Sequence, residues 1–441
     1  MQRTRRAGGE PAIDTTVATI DSLSHDGRGV AHIGGKAVFV AGALPGESVR
    51  VGQRLRHRRF DEAELVQVIE PSAQRVVPRC AAFGVCGGCA LQHLDTAAQV
   101  AAKQSHLLEE LRRTGRVEPA QILAPLTADA WNYRRRARLG ARYVARKERA
   151  LVGFRERLSP YVAELQRCEI LVPPLDGLIE PLSRLLSGLS IRARVPQIEV
   201  AVADNATALV FRVLQEPDAT DRAALEQFGL QQGVQVHLQP AGVDSIAPLS
   251  PVEPLRYRLE EFDVELEFGP ADFIQVNAAL NRAMVSRAVQ LLGADGARVL
   301  DLFCGLGNFT LPLARGAAEV VGVEGEGALV ERARANARRN GIVNVQFHVA
   351  NLAAPVDDVP WAAGRYDAVL LDPPRAGARE ILPITARCGA RRVVYISCHT
   401  GSLARDAGLL VHEHGFKMRA AGVMDMFPHT AHVESIAVFE R

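Results

Sequence analysis

Four apolar runs in the last third of the chain each lead into a polar residue, and this series restricts the possible fold more than any other feature. The polar residues are Asp301, Glu324, Asn351 and Asp372. The runs are short and rich in β-branched residues, which predicts buried strands separated by helical or glycine-rich segments. Strands that alternate with helices form a parallel sheet whose carboxyl ends share one edge. We therefore predict a Rossmann-like α/β domain over residues 266–441 with a ligand site at that edge.

The first of these runs continues into a glycine loop, Cys304-Gly-Leu-Gly307-Asn308. Glycine lets the backbone approach a ligand closely, and Glu324 at the end of the next run can accept hydrogen bonds from ribose hydroxyls. The loop is not the dinucleotide-binding GxGxxG, because Gly307 is followed by Asn-Phe-Thr. The series therefore favours an S-adenosylmethionine (SAM) methyltransferase over an NAD dehydrogenase or a plain turn with structural glycines.

A further predicted strand, Val393–Ile396, is followed by Cys398 at the same edge. If the methyl donor meets RNA there, a thiolate can add to carbon 6 of uracil and make carbon 5 nucleophilic. We expect the site to favour the thiolate, helped by the N-terminus of a helix that follows Cys398. A base must remove the carbon-5 proton, and Glu434 is the main candidate. The alternatives are three histidines, His399, His429 and His432.

The N-terminal residues 14–72 contain short alternating strands with glycine turns between them, which predicts a small OB-type β-barrel. Residues 1–60 hold ten Lys or Arg against five acids, including a cluster over Arg54–Arg59. An OB-type barrel with a basic cluster is typical of nucleic-acid binding, although a solvated basic face is an alternative.

Seven cysteines are present, and three of them lie at Cys80, Cys86 and Cys89 with five and then two intervening residues. Cys168 is the one further cysteine before Cys304 and completes a set of four thiols. A four-cysteine site holds either zinc or an iron–sulfur cluster, and the spacing does not separate the two. Three buried free thiols at Cys80, Cys86 and Cys89 are the alternative. Cys304 and Cys388 are interpreted as packing residues.

Residues 131–149 carry eight basic residues, one acid and three aromatics. Alternation around 136–143 predicts a strand with one basic face, on which arginines can bind phosphates while aromatics stack on bases. A solvated strand face is the alternative. The predicted RNA contacts are Arg134, Arg136, Arg138 and Arg142.

Global composition adds little, because the net charge is +2. No apolar run reaches the length of a membrane span, and Met1-Gln-Arg-Thr-Arg-Arg has no apolar core of a signal peptide behind it. We expect a cytoplasmic protein with no membrane partner.

Several motifs together resemble the RNA uracil-5-methyltransferase family. They are the cysteines 80, 86, 89 and 168, Phe273-Ile-Gln-Val-Asn277, Asp301–Thr310, Asp372-Pro-Pro-Arg375, Ser397-Cys398, Asp425-Met-Phe-Pro428 and His432-Val-Glu434. The N-terminal barrel resembles a TRAM domain. A TRAM domain with a cysteine cluster is similar to the family branch that acts on 23S ribosomal RNA.

The resemblance implies a function, a cofactor set and site residues. It implies methylation of the uracil at position 1939 of 23S rRNA, free or in a pre-ribosomal particle, with Cys398 as nucleophile and Glu434 as base. It implies a [4Fe-4S] cluster on Cys80, Cys86, Cys89 and Cys168, and SAM contacts from Gln275, Phe303, Asn308, Glu324, Asn351 and Asp372. A central α+β domain over 73–265 is expected to carry the cluster, with 93–123 packed on the catalytic domain. We expect a monomer.

One local difference separates the chain from the family pattern, which follows the cysteine with Asn-Pro. Here the residues are His399-Thr400-Gly401. Alternative functions are a uridine-5-methyltransferase for tRNA or another rRNA site, base-amino methylation, or non-catalytic RNA binding by an iron–sulfur protein. Base-amino methylases place an aromatic where this chain has Arg375.

Overall fold

The computed structural model describes residues 15–354, 356 and 359–441. The basic residues Arg3, Arg5 and Arg6 lie outside the described residues. The chain divides into two compact units, each with its own sheet structure. The first comprises Met1–Arg79, Cys89–Gln99 and His429–Ala431, and the second comprises Cys80–Gly88, Val100–Pro428 and His432–Arg441.

The first unit contains one six-stranded sheet in the order β1-β5-β6-β4-β3-β2. Its strands are β1 (Thr16–Thr19), β2 (Ser22–Leu23), β3 (Gly29–Ile33), β4 (Lys36–Val40), β5 (Ser48–Arg56) and β6 (Phe60–Glu70). Alternate side chains such as Val38, Val40, Val49 and Val51 form its core, as the period of a half-buried strand requires. The predicted arginine cluster occupies the end of β5 and the turn before β6, where Arg56, Arg58 and Arg59 are exposed.

The remaining strands are divided among three sheets of the second unit. They are β7 (Gln121–Ile122), β8 (Arg136–Val144), β9 (Arg149–Gly153), β10 (Gln197–Val202), β11 (Thr207–Arg212), β12 (Gln235–Gln239), β13 (Ala247–Pro248), β14 (Leu255–Leu259), β15 (Val264–Phe268), β16 (Arg298–Leu302), β17 (Glu319–Glu324), β18 (Val345–Val349), β19 (Ala368–Leu371), β20 (Arg392–Ser397), β21 (Lys417–Met424) and β22 (Glu434–Glu440). A six-stranded sheet has the order β13-β12-β11-β10-β8-β9, and β14 pairs with β15 as a hairpin.

The largest sheet has the order β18-β17-β16-β19-β20-β22-β21-β7. Strands β16 to β20 are mutually parallel, and β22 is antiparallel to both β20 and β21. This order agrees with the predicted Rossmann-like arrangement, because strand order reverses next to β16, where ligands bind in open α/β sheets.

Helices connect the strands. They are α1 (Thr96–Glu110), α2 (Ile179–Gly188), α3 (Ala219–Gln232), α4 (Ala278–Leu292), α5 (Thr310–Ala314), α6 (Gly327–Arg339), α7 (Leu382–Arg387) and α8 (Thr400–His412). None of the helices in the described part of the chain is long and apolar enough to cross a membrane.

The segment that begins at Val100, after the Cys80–Cys89 loop (the cysteine loop), packs on the large sheet. Leu107, Leu111 and Val117 belong to the same buried core as Leu300 and Val393. Strand β7 pairs in parallel with β21, through Gln121 and Ile122. The part of the 93–123 segment that belongs to the second unit therefore packs against strands of the large sheet.

Candidate active site

Polar side chains meet at the carboxyl edge of the large sheet. Glu324 ends β17, Asp372 directly follows β19 and Cys398 directly follows β20, while Asp301 lies in β16 between them. Parallel pairing aligns these strands, with Leu302 opposite both Val323 and Leu371. The series of polar strand ends read from the sequence therefore forms one edge.

The antiparallel strand β22 brings Glu434 to this edge beside Cys398. Ser397 at the end of β20 pairs with Ser435 near the start of β22, and the Ser435 hydroxyl donates a hydrogen bond to the Ser397 carbonyl oxygen at 3.2 Å. The next residue outward on each strand is Cys398 on one side and Glu434 on the other. The ladder therefore sets a thiol and a carboxyl side by side.

Burial dominates the electrostatics of the thiol. The pKa of Cys398 is raised to about 11, first by burial and then by the neighbouring Glu434 and Asp372, while Arg375 acts in the opposite direction. The expectation that the site alone favours the thiolate is wrong. Loss of hydration disfavours the thiolate more than the Arg375 guanidinium favours it.

The acids at this edge have pKa values well above those of exposed carboxyls. Burial raises the pKa of Asp301 and of Asp372 to about 7, with nearby carboxyls adding to the shift. Glu434, only 3% exposed, has its pKa raised well above the usual range by burial and then by Asp372. One carboxyl oxygen of Asp301 is buried without a hydrogen-bond partner. A group of desolvated acids like this attracts a cationic ligand.

The glycine loop has a backbone that only small residues adopt easily. Gly305 and Gly307 have φ values of 55° and 97°, in the region that favours glycine. The Glu324 carboxylate accepts hydrogen bonds from the backbone N–H groups of Gly305 at 3.1 Å and Gly325 at 2.6 Å. Glu324 thus holds the loop against the end of β17. Phe303, a predicted SAM contact, also has positive φ, at 66°.

Asn308 is held by two residues that sequence reasoning did not single out. Its side-chain oxygen accepts hydrogen bonds from the Tyr257 hydroxyl at 2.9 Å and from the Asn281 amide at 3.0 Å. Its amide nitrogen donates to the Asn281 oxygen at 3.0 Å. No local pattern could have identified Tyr257, because it lies in the β14–β15 hairpin, far from Asn308 in the chain.

The Tyr257 ring also links this network to Gln275. The Arg135 guanidinium lies 4.7 Å from the ring centroid, and its Nε donates to the Gln275 carbonyl oxygen at 3.0 Å. Asn351, the remaining predicted SAM residue, is exposed, and its side chain accepts a hydrogen bond from the Ala353 N–H at 3.0 Å.

The turn that departs from the family pattern begins α8. His399 is the N-cap residue, and its ring Nδ1 accepts a hydrogen bond from the Ser402 N–H at 3.1 Å. This is the contact that an asparagine or serine N-cap usually makes. His399 therefore supplies the cap of α8.

The predicted basic strand alternates as expected, but its arginines differ in environment. Arg136 is only 15% exposed and donates to the carbonyl oxygens of Pro270 and Ala271 and to Glu199. Arg138, also paired with Glu199, is 68% exposed, and Arg142 is exposed too. Arg134 is partly buried and donates to the Arg136 carbonyl oxygen. Arg138 and Arg142 thus present the more accessible guanidinium groups.

The four predicted cluster cysteines are distributed over both compact units. Cys80, Cys86 and Cys168 belong to the second unit and Cys89 to the first. Burial raises the pKa of Cys168 to about 11, with added contributions from the Cys86 and Cys80 thiols. The Gly88 N–H donates to the Cys86 sulfur at 3.4 Å. Thiols of this kind suit a thiolate-ligated metal chemically.

Comparison with family models identifies two regions. The model of the tRNA (Uracil-5-)-methyltransferase family matches residues 256–441, and the model of the TRAM domain matches residues 14–52. The first match contains the whole carboxyl edge described above.

Full-length relatives extend the similarity to the rest of the chain. The chain is 55% identical over 425 residues, 96% of each protein, to a 23S rRNA (uracil(1939)-C(5))-methyltransferase RlmD of Alkalilimnicola ehrlichii. It is 52% identical to the protein of the same name from Xanthomonas axonopodis pv. citri, over 100% of both chains.

A solved structure shares the fold. The Pyrococcus abyssi tRNA (uracil-54, C5)-methyltransferase, in complex with S-adenosyl-L-homocysteine, superposes with a TM-score of 0.75. The match covers 96% of this chain and 100% of that one at 23% identity, which establishes the fold.

Proposed function

The chain belongs to the RNA uracil-5-methyltransferase family, and we propose that it transfers a methyl group from SAM to carbon 5 of uracil 1939 in 23S rRNA. The observation that carries this proposal is the pairing of Ser397 with Ser435, which supports Cys398 and Glu434 as reaction partners. Methylation of carbon 5 needs both a nucleophile and a base at one uracil ring.

Cys398 acts as the nucleophile. Its sulfur adds to carbon 6, and the electrons of the carbon 5–carbon 6 double bond move to the ring as an enolate. Carbon 5 then bonds to the methyl carbon as the donor's sulfur–methyl bond breaks. Bound SAM supplies that methyl group on a positively charged sulfur.

Glu434 acts as the base. It takes the proton from carbon 5, the double bond re-forms, and the bond between carbon 6 and the Cys398 sulfur breaks. Among the alternatives, the His399 ring caps α8, and His432 is exposed and lies 3.0 Å from the Arg375 guanidinium. A buried carboxyl has a raised pKa, and a stronger base takes a carbon-bound proton more readily.

The methyl donor binds at the carboxyl edge, with Gln275, Phe303, Asn308, Glu324, Asn351 and Asp372 as its contacts. Three features support this binding: the glycines at 305 and 307, Glu324 at the end of β17, and the unpaired buried oxygen of Asp301. The desolvated acids favour a cationic sulfur, and its charge in turn lowers the pKa of Asp372 and of Cys398.

Covalent trapping tests this mechanism. With 5-fluorouridine RNA and SAM, the fluorine on carbon 5 blocks the last proton removal, so the protein should remain bonded to the RNA. The Cys398→Ala variant should give no complex. Cys388→Ala is the matched control, because Cys388 is buried in the core next to the amino ends of the strands. A complex that survives Cys398→Ala would overturn the nucleophile assignment.

We also propose that Cys80, Cys86, Cys89 and Cys168 hold a [4Fe-4S] cluster, as the family resemblance implies. The cluster is expected to stabilise the fold, because no step of the methyl transfer moves an electron. Anaerobic purification should give a brown protein with visible absorbance and iron, and Cys168→Ser should lose both. A colourless protein loaded with zinc would contradict the iron assignment.

The RNA partner is 23S rRNA, free or in a pre-ribosomal particle, and the protein acts as a monomer in the cytoplasm. Arg134, Arg136, Arg138 and Arg142 are proposed RNA contacts, and the exposure of Arg138 and Arg142 supports those two most directly. A 23S transcript with cytosine at position 1939 should accept no methyl group, while the unaltered transcript does.

A further inference from the structure

A short hairpin after β9 exposes a leucine at its tip. The Glu156 N–H donates to the Tyr161 carbonyl oxygen at 2.9 Å, and Arg155 pairs with Val162 across the hairpin. Leu158, between them, is 97% exposed. Burial within this fold therefore does not explain a leucine at this position.

The backbone at Leu158 makes that choice costly. Its φ is 56°, in the left-handed region where glycine or asparagine is usual. Bulky residues seldom adopt this conformation, and strained positions of this kind cluster at ligand-binding sites. Strain combined with full exposure indicates that the side chain has a partner outside the chain.

The cysteine loop holds the hairpin in place. The Arg157 N–H donates to the Val85 carbonyl oxygen at 2.8 Å, and the Gly87 N–H donates to the Arg155 carbonyl oxygen at 2.8 Å. Val85 is itself 58% exposed. Backbone pairing thus brings a second exposed apolar side chain next to the tip.

The surroundings of the tip are aromatic and basic. Tyr161 is 58% exposed, and the Arg142 guanidinium lies 5.9 Å from its ring centroid. Arg142 and Arg155 are both exposed. An exposed aromatic beside arginines suits an unpaired base, which stacks on the ring while a guanidinium binds its phosphate.

We propose that the 154–162 hairpin is a binding site for unpaired nucleotides of the RNA substrate, with Tyr161 stacking on a base and Leu158 packing against its neighbour. This inference rests on the proposed function, because it names a contact surface for the same RNA. The arginines favour a polyanion over a protein partner. Arg142 lies on the same strand as Arg136 and Arg138 and also contacts Tyr161 of the hairpin.

Binding of a naked 23S rRNA fragment to the full-length protein tests the proposal. Tyr161→Ala should weaken binding about tenfold, the usual loss when one stacked base loses its aromatic partner. Leu158→Ala should weaken it several-fold. The matched control is Leu230→Ala, because Leu230 is also exposed, at 86%, but lies on α3. It should bind like the wild type, and thermal unfolding should show that all variants fold.

Two further outcomes separate the possible failures. If wild-type protein methylates the RNA and both hairpin variants bind it as the control does, the hairpin site is refuted. If the variants lose activity only on ribosomal particles, the partner is a ribosomal protein and the proposal is also refuted. If the wild type does not methylate 23S rRNA at all, it is the proposed function that fails.

Discussion

Cys398 and the cysteines of the 80–89 loop are positioned by different kinds of structure. Cys398 continues a buried strand, and the pairing of β20 with β22 determines which side chain lies beside it. Cys80 and Cys86 lie in a loop of turns whose backbone pairs with the 154–162 hairpin. The pairing of β20 with β22 is sufficient to place the Cys398 thiol beside the Glu434 carboxyl. The loop thiols, by contrast, are positioned by turns and by backbone hydrogen bonds to another segment, and the Cys80 and Cys86 thiols contribute to the raised pKa of Cys168.

The difference is between a site fixed by a sheet ladder and thiols carried on the turns of a loop. Sheet hydrogen bonds fix the geometry of Cys398 and Glu434 without help from a bound group. Loop ligands of a metal commonly take their final arrangement when the metal binds, because binding and folding are coupled. We therefore expect catalysis to depend on strand-end residues and loop integrity to depend on iron.

The largest expected effect tests the preorganised site. Glu434→Gln keeps the size of the side chain but removes the proton acceptor, so methyl transfer should fall by about 10²- to 10⁴-fold. With unmodified RNA and SAM, the covalent complex through Cys398 should accumulate, since addition survives and proton removal does not. Gel shift under denaturing conditions measures it.

The control for that prediction lies on the same strand. Glu440 is at the other end of β22, where it pairs with Arg392 and Arg419. Glu440→Gln should retain activity within about twofold. Equal losses of methyl transfer in the two variants would show that substitutions in β22 disturb folding, and would contradict the role of Glu434 as the base.

A second prediction concerns thiol reactivity in the protein without RNA or SAM. Because the pKa of Cys398 is about 11, its alkylation by iodoacetamide should rise about tenfold per pH unit between pH 7 and pH 10. At pH 8 it should be about a hundredfold slower than that of a free cysteine. Arg375→Ala should slow it further, since Arg375 lowers this pKa.

The same experiment compares the two sets of thiols directly when peptides are resolved by mass spectrometry. Bound iron should protect the loop cysteines, and a chelator should expose them to the reagent. The rate at Cys398 should not change on chelation. A Cys398 rate that follows iron content would show that the two sites are coupled and would contradict the distinction between them.

A smaller effect, on SAM binding, is expected from the hydrogen bond between Tyr257 and Asn308 of the glycine loop. Tyr257→Phe removes the hydroxyl that donates to Asn308, a contribution of about 1 kcal/mol. The KM for SAM should rise about fivefold, with the KM for RNA unchanged. Tyr366→Phe is the control, because its buried hydroxyl also donates one hydrogen bond, to the Trp361 carbonyl oxygen. It should lower stability without changing the KM for SAM.

The smallest effect concerns the turn after Cys398. His399→Ala removes the cap of α8 and should lower the free energy of unfolding by about 0.5–2 kcal/mol. His399→Asn should restore the cap and retain activity, since both side chains accept the Ser402 N–H. Urea unfolding measures both variants. If the Asn variant were as unstable as the Ala variant, the cap would not explain the substitution of histidine for the family's asparagine.

Much of the catalytic edge could be predicted because it is encoded in runs of neighbouring residues. Apolar runs mark the buried strands, and the first polar residue after each run marks the strand end. Glu324, Asp372 and Cys398 follow directly from this pattern. Parallel pairing then places such residues together whatever their separation in the chain.

Other features depend on contacts between distant segments. The role of His399 requires the cap geometry of α8, and the restraint on Asn308 requires Tyr257 from another sheet. The difference in exposure among the arginines of β8 also depends on neighbouring segments, because Arg136 donates to Glu199 and to two carbonyl oxygens. A strand period predicts which face a side chain occupies but not which acceptors lie opposite it.

The sequence by itself determined the strands, the glycine loop, the polar strand ends and the thiol at Cys398, because each depends on local burial and backbone preference. Only the tertiary structure decided that Glu434 lies beside Cys398 and that burial raises the pKa of both groups. Those outcomes depend on strand order and on desolvation by surrounding segments, which no single run of residues contains.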